Sequence, residues 1–288
     1  MIGGVEIVEV SIVDRALRDA GAAAAKAGVD IRSLQHADEL LQVTRLFGEI
    51  WQVGGRELIE RDLLVAMAHA GNYIVGAYDK DRMVGACVGF FGEPIGRSLH
   101  SHIAGVDAGL TGRGVGTAMK QHQRAWCLQR GITQITWTFD PLVARNAAFN
   151  LLRLGARVEE YLVEFYGPMN DGRNLSQPSD RLWVVWDLDA GARSSAIAEP
   201  SEKASVALSE SAEGYPVWSG VGVASGQATI RVPSDIEALR TSDPDLAARW
   251  RYAVRDAMTG LLDGGWVVAG FDRSGAAYIF ERTEERGH

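Results

Sequence analysis

Two stretches hold residue types that do chemistry at short, fixed spacing: His100-Ser101-His102 and, shortly after, Thr111-Gly112-Arg113-Gly114-Val115-Gly116-Thr117. Imidazole titrates near neutral pH, so a His pair can take or give a proton there. Side chains alternate along a strand, which puts both rings on one face. Two histidines packed on a half-buried sheet is the competing reading. A zinc site is disfavoured, because no third ligand follows at clear spacing. In the second stretch the glycines allow close approach of the backbone, and amides at a helix start point at an anion with the helix dipole behind them. A Walker loop would need a lysine before Thr117, and a dinucleotide fingerprint a third glycine or alanine in its place. A plain helix start with helpful glycines therefore stays open.

Elements to position these residues can be read from periodicity. Ile31 and Leu34 suggest a strand; Leu40, Val43, Phe47, Ile50 and Trp51 recur at helical spacing; Leu58, Leu64 and Met67 lie on a second helix. Strands are expected over 73–78, 83–92 and 100–106, then a helix over 114–130 and a strand over 132–139. Asp140-Pro141 suits an N-cap and first helical position, opening a helix that runs to Gly155. Strands at 157–166 and 181–188 complete a mixed α/β unit.

The flanks differ. Residues 1–28 read as an alanine-rich helical extension closed by Gly28. Residues 189–225 shift to Ala, Ser, Glu and Gly without a period and read as a linker or irregular crossing segment. Residues 226–288 read as a small βαββ subdomain, with strands at 228–232, 266–271 and 276–281 and a helix over 245–262.

Composition narrows the function classes. The 288 residues include 29 basic and 37 acidic ones, a net charge of −8. That balance argues against a dedicated nucleic-acid binder or a binder of anionic membranes. No apolar run approaches the roughly 18 residues that span a bilayer. Cys87 and Cys127 provide no disulfide framework, and the first residues lack the basic start of a secretory signal. The expectation is a soluble, cytoplasmic protein.

Strand, glycine loop, helix, strand, Asn-bearing helix and a Leu-Gly turn into a further strand together resemble the GNAT superfamily of acyl-CoA N-acyltransferases over residues 29–188. The family's Arg/Gln-x-x-Gly-x-Gly/Ala loop is matched in its glycines by Thr111-Gly112-Arg113-Gly114-Val115-Gly116, with Thr111 in place of Arg or Gln. The resemblance implies an α/β (α+β) fold with a mixed central sheet of splayed strands flanked by helices. It implies acetyl-CoA or another acyl-CoA as co-substrate, its diphosphate on the amides of Arg113, Gly114, Val115, Gly116 and Thr117. Backbone of Ala104, Gly105 and Val106 would meet the thioester oxygen, and Asn146 the pantetheine arm. The string from Trp137 to Asn146, with Tyr166-Gly, Ser179-Asp-Arg-Leu-Trp183, Asp243-Pro and Trp250-Arg, is similar to a large subgroup with an extra C-terminal region, some of whose members are linked to N-succinylation of amino acids.

Acylating an amine requires both reactants in place, a base for the ammonium and support for the oxyanion. The His pair is similar to the His-x-His of arylalkylamine N-acetyltransferases, which makes His102 the expected base and His100 a residue on the substrate side. The family's acidic tyrosine is replaced by Leu151, so Tyr161, or Tyr166, is the candidate acid, unless the thiolate leaves unaided. Trp137, Asp140 and Arg181 are candidate substrate contacts. Core packing competes for Trp137, helix capping for Asp140 and a loop-fixing ion pair for Arg181. Arg251 and Arg255 read as solvated or tail-docking charges. The expected function is transfer of an acetyl or succinyl group to a primary amine of a small metabolite. A non-catalytic acyl-CoA sensor and a protein N-acetyltransferase are the alternatives. No metal is expected, and a homodimer is compatible with the tail.

Overall fold

The computed structural model describes residues 11–54, 57–167, 177–189, 200–220 and 226–282. The chain start, and parts 190–199 and 221–225 of the expected linker, lie outside the described residues. The chain forms two compact units, Met1–Ile135 with Asp187–Asp189, and Thr136–Trp186 with Ala190–His288.

In the first unit, helix α1 (Ile12–Ala27) starts where Ser11 accepts the Asp14 amide and ends at Gly28. Its buried Ala16 and Ala20 lie one turn apart, and these small side chains let it pack along α4 (Val115–Leu128). Strands β1 (Asp30–Ser33), β2 (Tyr73–Asp79), β3 (Arg82–Gly92) and β4 (Ser98–Val106) pair in that order, all antiparallel. Helices α2 (Ala37–Trp51) and α3 (Arg61–His69) cover the sheet with Leu40, Val43, Phe47 and Leu64. Each such fully buried side chain contributes about 1.5–3 kcal/mol.

Two local features of β4 set the site. Val88 pairs with Ile103 and Gly89 with Ser101, so His102 is an extra residue, a β-bulge. The bulge reverses the alternation of the strand. Ser101 before it reaches Lys120 on α4, whereas Ile103 beyond it packs on the α2–α3 core and Gly105 faces α2. A Cβ at Gly105 would lie 2.8 Å from Ile50 and from the Trp51 ring, so only glycine lets α2 close on the strand here.

In the second unit, β5 (Gln134–Phe139, entering from the first unit), β7 (Arg181–Asp187) and β6 (Arg157–Leu162) are neighbours in that order. The expected helix to Gly155 is corrected. α5 spans only Ala144–Ala147 and passes into a π-helical stretch, Ala148–Arg153. The strand expected over 157–166 stops at Leu162, because a turn with Glu164 at φ 49° follows.

The linker expectation is corrected too. Residues 205–218 contain strands β8 (Ser205–Glu210) and β9 (Pro216–Trp218). With β10 (Gln227–Arg231), β11 (Trp266–Asp272) and β12 (Ala277–Arg282) they build a five-stranded sheet, β11-β12-β10-β8-β9, in place of a βαββ motif. Helices α6 (Ile236–Ser242) and α7 (Pro244–Asp263) are capped by Asp235 and Asp243. This tail is bonded to the β5–β7 part of the same unit. Tyr278 donates to the Pro141 carbonyl at 2.8 Å, and Arg240, Arg251 and Arg255 reach Asp140 and Asp180. No helix among the described residues is long and apolar enough to cross a membrane.

Candidate active site

The glycine loop is built from its own turn bonds. After β4 the Asp107 amide donates to Val84, while its side chain accepts from the Gly109 amide and pairs with Arg82. The amides of Thr111 and Arg113 donate to Ala108 and Leu110. The expectation for Arg113 is thereby corrected: its amide closes a turn and is not offered to a ligand. Gly112 and Gly114 sit at φ 87° and 93°, which favour glycine, and Gly114 is the N-cap of α4 without a side chain to cap it. The first three amides of α4, on Val115, Gly116 and Thr117, therefore have no intrahelical acceptor, the bonded ladder starting with Ala118 to Gly114. A Cβ added at Gly112 or Gly116 would meet nothing within 4 Å, so the space beside them is open. Arg113 turns its side chain away to Asp79 and to the Ala27 carbonyl at the end of α1. The N-terminal helix thus braces the loop, a role that its sequence did not announce.

On β4 the His100 and His102 rings lie 6.2 Å apart, and both stack at a tilt on Phe90, at 5.1 and 5.7 Å. His100 is buried, and burial, then the neighbouring His102 and Lys120, lower its pKa to about 4. His102 keeps an exposed edge, and the protein packed round it lowers its pKa too. Both imidazoles are neutral at pH 7.

For His100 the folded pKa lies below the unfolded 6.5, so the folded state binds the proton less readily. Stability present above pH 6.5 is expected to fall as the pH drops towards 4, by about 3 kcal/mol for that shift. Chemical unfolding at stepped pH checks this, because His100→Gln should flatten the slope in that window.

Beneath the pair, on the α4 side of β4, the buried Lys120 ammonium donates to Ser101 Oγ at 2.9 Å and Gln123 Oε1 at 3.1 Å. Burial lowers its pKa to about 8. Sequence reading overlooked this lysine, although Lys120, Gln123 and Cys127 form one helical stripe of α4.

The second unit corrects further expectations. Tyr161 is buried and donates to Asp180 Oδ2 at 2.7 Å; burial and that carboxylate hold its pKa far above the ordinary value. Its proton is held by that carboxylate. Tyr166 is partly exposed, with its hydroxyl 3.1 Å from Thr138. Trp137 is buried edge-on to Trp186 and is packing, not a substrate contact. Asp140 is not the helix cap that its place before Pro141 suggests, since α5 starts after Val143. Its Oδ1 accepts the Leu142 amide in a local turn and its Oδ2 receives Arg240 and Arg251, which makes it an anchor for arginines. Arg181 is buried, with Nη1 on the Asp180 carbonyl and its guanidinium 5.4 Å from the Tyr166 ring. Asn146 is half-buried on α5.

An amide cradle left open at a helix start, reached by a strand with two neutral imidazoles, is an arrangement suited to an anion beside a proton acceptor. The sequence model of the Acetyltransferase (GNAT) family matches residues 37–156, so this segment is a GNAT domain. It is an enzyme of the N-acetyltransferase class, and the mixed sheet flanked by helices is the fold of that family, extended here by the C-terminal sheet. Similar solved structures include yncA from Salmonella typhimurium with its cofactor acetyl-CoA (12% identity, 57% of this chain and 96% of that one, TM-score 0.46). Others are the ribosomal-protein-S18-alanine N-acetyltransferase of Escherichia coli (13%, 58% and 97%, TM-score 0.44) and Arabidopsis thaliana Naa50 with the bisubstrate analogue CoA-Ac-MVNAL (20%, 55% and 97%, TM-score 0.44). No curated protein matches the chain.

Proposed function

We propose that the enzyme moves an acetyl group, or a longer one such as succinyl, from coenzyme A to the primary amine of a small metabolite, an amino acid among them, by direct attack in a ternary complex. The carrying observation is the juxtaposition, along one strand-to-helix connection, of the open amides of Val115, Gly116 and Thr117 with the neutral imidazoles of His100 and His102. The three amides would hold the diphosphate of coenzyme A, for which the open space beside Gly112 and Gly116 leaves room. Backbone of Ala104, Gly105 and Val106 would face the thioester oxygen. When bound, the acyl thioester supplies the activated carbonyl.

His102, with its exposed edge and lowered pKa, takes the proton that the substrate ammonium must lose before its nitrogen can attack. His100 sits deeper against Phe90, where it stays uncharged and does not compete for that proton. With Tyr161 held by Asp180, no acid is assigned to the leaving sulfur. A thiol of ordinary pKa about 8.5 leaves as thiolate without one.

The test is to mix the protein with acetyl-CoA or succinyl-CoA and a panel of amino acids, diamines and short peptides, following thiol release. Turnover on a small amine is expected. Tight coenzyme A binding without turnover on any amine would establish a sensor, and turnover confined to peptide N-termini a protein acetyltransferase. The loop has its own check. Gly114→Ala forces a side chain onto φ 93°, at a cost of roughly 1–2 kcal/mol. By calorimetry it should bind coenzyme A about tenfold more weakly, since that cost falls on the helix start that holds the amides.

A further inference from the structure

The second unit holds a buried guanidinium cluster that the transfer chemistry at His102 does not use. Asp140 Oδ2 accepts from Arg240 at 2.6 Å and from Arg251 at 2.7 Å, both through Nη2. Arg240 also donates to Gln177 at 3.1 Å. Arg181 is close enough that the charges of Arg251 and Arg240 oppose its own. Arg251 is 1% exposed, and its Nε and Nη1 are buried with no acceptor. A guanidinium taken out of water loses hydration on every N–H, so one held with two nitrogens unbonded, beside other guanidinium groups, is an incomplete site.

We propose that Arg251, with Arg181 beside it, is the receptor for a carboxylate of a small-molecule ligand. Guanidinium donors match a planar carboxylate, and a single negative charge costs less to desolvate than a phosphate dianion. Asp140 keeps Arg251 in place through Nη2 while Nε and Nη1 remain for the ligand. Because Arg251 is almost fully enclosed, the ligand enters by displacing neighbouring side chains, and binding is slow compared with docking on an open surface. The assignment does not rest on the acyl-transfer reading. Within that reading the carboxylate has two sources, an amino-acid acceptor or the far end of a succinyl group.

Calorimetry and thermal unfolding of the full chain test it, using succinate, glycine, glutamate, acetate, sulfate and phosphate against chloride at equal ionic strength. At least one carboxylate should raise the midpoint by several degrees and bind with a Kd that Arg251→Met weakens at least tenfold. Glycine or glutamate binding without succinate points to the acceptor as source, and the reverse to the acyl group. If Arg251→Met does not fold, Arg181→Met carries the same comparison. The proposal is overturned if no carboxylate exceeds chloride, if sulfate or phosphate binds at least as tightly, or if carboxylate binding survives the substitution. None of these readouts needs turnover, so their failure leaves the transfer reaction standing.

Discussion

His102→Ala is expected to lower turnover by about 10²–10⁴-fold, the range a positioned general base contributes, and to leave coenzyme A binding unchanged. The two effects separate because the imidazole and the amide cradle are different parts of one connection. His102 is the bulge residue of β4, whereas the cradle amides belong to α4 beyond Gly114. The pH profile supplies the sharper readout. The base must be neutral, and burial holds the His102 pKa below 6.5, so wild-type activity should fall only as the pH drops below that value. In the alanine variant that acid limb should disappear, and activity should recover towards high pH, where more of the amine substrate is already deprotonated. A retained limb at the same position would assign the titration to another group and remove His102 from the mechanism. His100→Gln serves as the neighbour control, because His100, at about 4, is already neutral across the working range.

What the sequence disclosed follows from how local each signal is. The helix over Leu40, Val43 and Phe47 and the glycine loop before Val115 are written in consecutive spacing and backbone requirement, and both appear where the pattern puts them. The bulge at His102 and the π-helical stretch Ala148–Arg153 are shifts of hydrogen-bond register, which leave no mark in residue type. Strands β8 and β9 escaped because Ser205–Glu210 and Pro216–Trp218 are short and rich in exposed positions. In the site, Arg251 was read through its i,i+4 charge partner Arg255. Yet it stands four residues after Ala247 and three before Val254, inside the buried seam of α7. An arginine in an apolar seam is the signal of a buried ion cluster, and its partner, Asp140, lies 111 residues away. Long-range pairing of that kind also claims Tyr161, whose partner Asp180 no periodicity would have named.

The same cluster carries the largest expected loss of stability. Asp140→Ala should destabilise the fold by about 3–5 kcal/mol, the cost of removing one partner from a buried ion pair. The carboxylate is held by two guanidiniums that are themselves 3% and 1% exposed, so its removal leaves buried positive charge with no water to replace it. Although burial alone would raise the Asp140 pKa, Arg251 and Arg240 outweigh it and hold the carboxylate far below its ordinary range. The contribution is therefore present above the unfolded pKa of about 3.9 and is lost only as the pH falls through the much lower folded value. Wild type should keep it at pH 4.5, where the His100 contribution is already fading. Asp140→Asn separates charge from the turn bond, since an amide oxygen can still accept the Leu142 amide. It should recover about 1 kcal/mol relative to alanine, the net worth of one hydrogen bond, and no more. Urea unfolding of wild type and both variants measures this. A loss below about 1 kcal/mol in Asp140→Ala would mean that the arginines find other partners and that the cluster is not held by this carboxylate.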